Sequence, residues 1–350
     1  MTAITTDLDF VTARLHARRS RMAEGKRLDD LCHIRTMPEL GRALYPETGP
    51  RTAVDLQRRL VADTAEEVGN IAGYLGGAEA EVLNWLCVRF QMENLKVLAR
   101  GFSGGLSLEE IRPYLVPLPA GLALSVEPFL AAESLEAFAN LIPAGALAES
   151  VLRLAIEPYK AQPRPFFIES ALDHGYLAEL ATRAGNLSGG ERGFVMSVAR
   201  QEVEMFHTLL AARGRFHYQI TPDALIAFGV SRAGAERERL ETMARAADLA
   251  EVARRAVGHG IGRLPSGTSE PPEAAIPILE ALAWNRFWRV ANQVFRASHI
   301  GLGAVVGYVG LRRVELANLI TLTEGIRAAL APDAIRRRMI PRSDLEAAHV

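Results

Sequence analysis

The sequence predicts an all-α protein built as successive helical bundles. Three observations predict it: apolar residues recur at helical spacing almost end to end, sustained alternation of β-branched residues is absent, and one short pattern returns twice. At 350 residues the chain exceeds what one ordinary hydrophobic core organises, so two or three domains are expected. Apolar residues make up 49% and charged residues 23%, a globular rather than disordered composition. A formal net charge of −1 gives no global field to draw in nucleic acid or an anionic membrane.

The chain opens with Met1–Phe10, polar and acidic, which does not read as a secretory signal. Arg14, Arg18 and Arg21 then recur at helical spacing, either as a solvated helix face or as a patch for acidic groups on a partner. Cys32 and Cys87 are too few for a disulfide framework and fit a reducing, cytosolic compartment. Cys32-His33 lacks further nearby ligands and reads as a packed helix position. Thr36 with Glu39, Ser107 with Glu110 and Ser188 with Glu191 each fit a capping box. Val88, Met92, Leu95 and Ala99 mark one helix face, and Ala199, Val203, Phe206 and Leu210 another. Thr221-Pro222-Asp223 supplies a cap, a first-turn proline and an acid at the positive end of a helix dipole. Joints fall at Pro117–Gly121, Ala184–Gly190 and Gly258–Pro272. The longest apolar runs, Leu115–Val126 and Ile300–Leu311, stay well short of the ~18–20 residues a membrane helix needs.

Three stretches align. Gln91 precedes Asn94 by three residues and Gly101 follows seven later; Glu204, His207 and Gly214 repeat that spacing, and so do Glu315, Asn318 and Gly325. Past each glycine, Ser107–Ile111, Thr221–Leu225 and Ala331–Ile335 read as a turn and a new helix start. Upstream, Glu169 precedes Glu204 by the same 35 residues that separate Glu280 from Glu315. The spacing divides the chain into three units, 1–117, 118–229 and 230–350, the last with a tail at Ser343–Val350.

Asn is a poor helix former, and inside an apolar helix it needs a buried hydrogen-bond partner. The residue three positions earlier, one turn away on the same face, is placed to supply it. The glycine suits a left-handed position that ends the helix. The motif is therefore expected to be a packing pin and helix stop, not a reactive site.

Phe10–Arg21, Asn94–Arg100, Leu172-Asp173-His-Gly-Tyr176 and Tyr308–Ile335 together resemble the C-subunit family of V/A-type ATPases (ATP synthases), related to the eukaryotic V-ATPase d subunit. The resemblance spans nearly the whole chain through the order and spacing of loose motifs. It implies three six-helix bundles around a pseudo-threefold axis, forming a funnel. It further implies a non-catalytic rotor subunit on the cytoplasmic face of the membrane, between the proteolipid ring and the central stalk. Such a subunit transmits torque between ion flow and ATP chemistry elsewhere and holds no nucleotide or cofactor. Leu115–Leu118 and the run Ile300–Leu311 are candidates for contact with the ring, burial being the competing reading. The sequence departs from the family at Gly310 and Leu311, where a Lys-Glu pair is usual, and at His207, where Asn is expected.

Other motifs point elsewhere. Glu204-x-x-His207 looks like half of a carboxylate metal site in a helical bundle, with Glu346 and His349 as a second pair, so a metalloenzyme is the alternative reading. Leu187-Ser-Gly-Gly-Glu-Arg192 imitates a nucleotide-contacting signature. No phosphate-cradling loop accompanies it at Lys26, Lys96 or Lys160, and a capped helix start is expected there. Gly258-His-Gly-Ile-Gly262 has no preceding strand and does not read as a dinucleotide loop. Arg336–Arg338 with Arg342 form a second basic patch.

Overall fold

The computed structural model describes residues 8–230, 234–256 and 272–341. The Gly258–Gly262 run, most of the joint before Pro272, Arg342 and the tail with Glu346 and His349 lie outside them. Among the described residues the regular structure is helical, with no strand.

After an N-terminal helix α1 (Leu8–Arg19), six long helices pair as three hairpins. The first is α2 (Ala53–Ala72) with α3 (Gly77–Gly104). The second is α4 (Pro165–Gly185) with α5 (Glu191–Phe216), and the third α6 (Pro272–Ser298) with α7 (Leu302–Arg327). Short helices fill the segments between. The expected faces are inward: Met92, Leu95 and Ala99 on α3 and Ala199, Val203 and Leu210 on α5 are buried, with Val88 and Phe206 partly so. Each aligned stretch lies on the second helix of its hairpin.

The hairpins are joined in a circuit. Helix α3 packs on α4, α5 on α6, and α7 returns to α2, so each long helix touches the next and the last touches the first. A separate apolar cluster brings Ala23, Leu28, Leu40 and Leu56 together with Leu319, Leu322, Ile335 and Met339, so early and late parts of the chain share one core. Ala23 N–H donates to Glu315 Oε1 at 2.5 Å within that junction.

The two helices of the third hairpin approach each other closely. A Cβ on Gly307 would stand 2.6 Å from Phe295 N and 2.8 Å from Ala291 O, and one on Gly310 2.9 Å from Ala291 Cβ. The absence of side chains lets α6 and α7 approach, which leaves no room at Gly310 for the charged residue usual in the family. Leu302–Leu311 form the buried start of α7, so within that apolar run only Ile300, 61% exposed, faces outward. Leu115 and Leu118 are half-buried beside Tyr114, which is 70% exposed.

The caps divide. Ser107 and Glu110 form the reciprocal box, and the Thr36 hydroxyl accepts from Glu39 N–H. Thr221 takes the cap position before Pro222, but its hydroxyl makes no cap bond. The box expected at Ser188 and Glu191 does not form. Gly190 occupies the cap position, and Glu191 reaches across to the start of α7, accepting from Gly303 N–H at 2.6 Å and Ser298 Oγ at 3.1 Å. That interaction offsets the exposed N–H groups of a different helix, a choice only the tertiary fold makes available.

Candidate functional site

The aligned residues are spent on holding chain to chain. Asn94 donates from Nδ2 to Val116 O at 2.8 Å and accepts from Val116 N–H at 2.9 Å. Asn318 makes the same pair with Ile340, both at 2.7 Å. His207 accepts at Nε2 from Val230 N–H at 3.1 Å. In each stretch, then, the residue holds backbone 22 or 23 residues further on. The expected partner at the preceding turn is not the one used. Gln91 instead donates to Leu122 O at 3.1 Å, Glu204 pairs with Arg239 at 2.8 Å, and Glu315 takes Ala23 N–H and the Arg312 guanidinium.

The glycines do not end their helices. Gly101, Gly214 and Gly325 lie inside α3, α5 and α7, and left-handed φ occurs later, at Gly105 (60°), Gln219 (57°) and Ala329 (52°). What each glycine supplies is room for the short helix that follows. An added Cβ would come within 3.1 Å of Ile111 Cγ2, 2.3 Å of Leu225 Cδ2 and 2.7 Å of Ile335 Cγ1, respectively. Their carbonyls also accept from Leu106, Ile220 and Leu330 N–H at 2.8–2.9 Å, satisfying groups left open at the helix end.

A buried ionic cluster lies where α3, α5 and α7 meet. Glu202 on α5 accepts from Arg313 Nη1 at 2.6 Å and from Arg89 Nη1 at 3.4 Å. The Glu202 side chain is 1% exposed and that of Arg313 8%. Next to it, Lys96 donates to Asp173 at 2.8 Å and Glu93 at 3.4 Å. Burial opposes the Lys96 charge, but Asp173 and Glu93 together outweigh it and hold its pKa above the ordinary lysine value. Burial pushes Asp173 up despite that lysine. A half-open cavity of about 220 Å³ adjoins the cluster, lined in part by Arg89, Asp173, Glu202, Arg213 and Trp284.

The three contacts between hairpins each carry a polar bridge from a matched position on the second helix, six residues past Asn94, His207 and Asn318. Arg100 reaches Glu169 at 2.6 Å, Arg213 reaches Glu280 at 2.6 Å, and Gln57 reaches Glu324 at 2.7 Å. Sequence reasoning singled out Glu169 and Glu280 by spacing alone and missed both these partners and the cluster. The available signal was charge at a fixed offset: Arg89, Glu202 and Arg313 each lie five residues before Asn94, His207 and Asn318.

The N-terminal arginines are largely turned to their own chain. Arg14 donates to the Tyr74 hydroxyl at 2.7 Å and lies over the Phe10 ring, and Arg18 pairs with Glu67 at 3.1 Å, while Arg21 is exposed. In the second basic patch Arg336 pairs with Asp29. Cys32 and Cys87 are buried free thiols, and burial pushes the Cys87 pKa up to about 12. His33 is exposed and bonds Asp29 O through Nδ1. Glu204 and His207 are committed to Arg239 and Val230, and among the described residues no group of three or more His, Cys, Asp or Glu side chains is arranged to hold a metal ion. No described helix is long and apolar enough to cross a membrane.

Fold and cluster together define an all-α scaffold whose buried polar chemistry joins one helical hairpin to another. The chain belongs to the family of C/AC39 subunits of ATP synthase, whose family model matches residues 11–338. It is 23% identical to the C subunit of the V-type ATP synthase of Deinococcus radiodurans, across 95% of this chain and 91% of that protein. The C subunit of the A-type ATP synthase of Methanothermobacter thermautotrophicus is 22% identical, across 95% and 87%. Its counterpart from Methanosphaera stadtmanae is 20% identical over the same shares.

Proposed function

We propose that this chain is a non-catalytic central-rotor subunit of a V/A-type rotary ATPase, linking the membrane proteolipid ring to the central stalk on the cytoplasmic face. The observation that carries the reading is the circuit of six long helices, bridged at matched positions between hairpins. A coupling element must resist twisting, and close-packed helices with polar cross-ties do so better than loops. The units 1–117, 118–229 and 230–350 are proposed to surround a pseudo-threefold axis as a funnel, with early residues closing the third unit. Half-buried Leu115 and Leu118, with exposed Tyr114, are proposed to face the ring. Arg14, Arg18 and Arg21 are proposed to meet acidic groups of a neighbouring rotor subunit, with Arg21 the exposed member of the three.

Affinity purification of the tagged chain from solubilised membranes of its host, followed by mass spectrometry, tests the assignment. Recovery of proteolipid and stalk subunits, retained together after the catalytic head is stripped off, is the expected result. Recovery of the chain without either would overturn it.

A further inference from the structure

We infer that Arg89, Glu202 and Arg313 form a single three-way ionic joint that sets the register of the three hairpins, and that this register keeps the subunit mechanically coupled. The inference rests on the rotor reading for its second half only.

The three side chains occupy one matched position, five residues before Asn94, His207 and Asn318, and come from three different hairpins. They nevertheless meet at one carboxylate, with Glu202 accepting from both arginines. Side chains at one repeat position converge when their helices face a common axis. Three identical charges there would repel, so convergence requires that one unit differ in sign, as the second does. Each arginine is also braced by an aromatic ring, Arg89 over Tyr176 at 5.6 Å and Arg313 over Phe287 at 4.8 Å.

The hydrophobic effect is non-directional, and the ridges and grooves of a helix recur with each turn, so a slip of one whole turn is the register error that apolar packing discriminates least. A one-turn slip of about 5.4 Å would part Glu202 from both arginines and strand charges in a buried place. Registry is the best-attested use of buried ionic groups, whose contribution to net stability is small or unfavourable. The bridges Arg100–Glu169 and Arg213–Glu280 are more exposed and therefore weaker determinants of register. Glu202 is accordingly the specificity-determining residue, and the arginines position themselves on it.

The test moves the acid around the axis. E202R places three arginines together, whereas R89E/E202R keeps two arginines and one glutamate but shifts the glutamate to the first hairpin. Melting temperature and helicity are measured on the full chain, and ion translocation per ATP hydrolysed on the reconstituted complex. We expect E202R to lower incorporation into the complex about tenfold or more, and the double variant to recover to within about threefold of wild type. A third variant, R89M/E202L/R313M, replaces the joint by apolar side chains. It is expected to melt near the wild-type temperature while losing about fivefold or more in ions moved per ATP. A double variant that melts no higher than E202R overturns the joint. An apolar triple that couples like wild type overturns its role in register. If the wild-type chain fails to enter an ATPase complex the rotor reading falls, yet the melting comparison of E202R with R89E/E202R still decides the joint.

Discussion

The first and third hairpins do with one asparagine what the second does with two histidines. Asn94 and Asn318 each contact one residue twice, donating to its carbonyl and accepting from its N–H. In the second hairpin the tasks are split: His207 on α5 accepts from Val230 N–H, and His174 on α4 contacts Phe228 O through Nδ1 at 3.0 Å. An amide holds both functions at every physiological pH. An imidazole accepts only while neutral, so the middle hairpin carries a titratable clamp where its neighbours carry a fixed one.

Removing a fixed clamp should have the largest effect. Asn318→Leu leaves the N–H and the carbonyl of buried Ile340 without partners and is expected to cost about 4 kcal/mol by urea unfolding at pH 7. Asn94→Leu should cost about half as much, because Val116 is half-exposed and water can replace the amide. Equal costs would mean that the two clamps are not graded by burial.

Acid should separate the two kinds of clamp. Burial first, then His174, Arg239 and Arg237, lowers the His207 pKa from 6.5 to about 4. Above pH 6.5 folded and unfolded chains are both neutral at this residue. As pH falls below 6.5 the unfolded chain takes up a proton that the folded chain refuses, and about 3 kcal/mol is lost by pH 4. His207→Asn should flatten this part of the stability curve. Identical acid losses in wild type and variant, measured between pH 7 and 4.5, would show that His207 does not carry the difference.

The glycines sharpen the comparison at a smaller scale. Gly214→Ala should cost about 2 to 3 kcal/mol, since the new Cβ stands 2.3 Å from Leu225, and Gly325→Ala about 2 kcal/mol. Gly101→Ala, with its nearest neighbours at 3.0 and 3.1 Å on movable side-chain ends, should cost nearer 1 kcal/mol. Thermal melting of the three variants reads the order, and a Gly101 variant worse than the Gly214 variant would contradict it. Least affected should be Gln91→Leu, which loses one bond to the half-exposed Leu122 and about 1 kcal/mol.

The all-α fold and the positions of the aligned residues were legible because both depend on short-range periodicity and on spacing along the chain. Their partners were not. The cap rule that matched Ser188 to Glu191 considers three residues, whereas Glu191 binds a helix start 112 residues away. The glycine rule describes helix ends, whereas Gly214 is small because Leu225 lies against it. Arg89, Glu202 and Arg313 share an offset from the aligned residues, but only the convergence of three helices makes them a buried group. Spacing identifies the aligned positions; the third dimension decides their partners.

The bond from Ala23 to Glu315 has a consequence during synthesis. Its two residues are 292 apart, so at about 5–20 residues per second the early segment waits roughly 15 to 60 s for its partner to be made. Throughout that interval Leu28, Leu40 and Leu56 lack the late half of their core. The nascent chain therefore carries an apolar N-terminal surface whose core is completed only after Leu319, Ile335 and Met339 have been made.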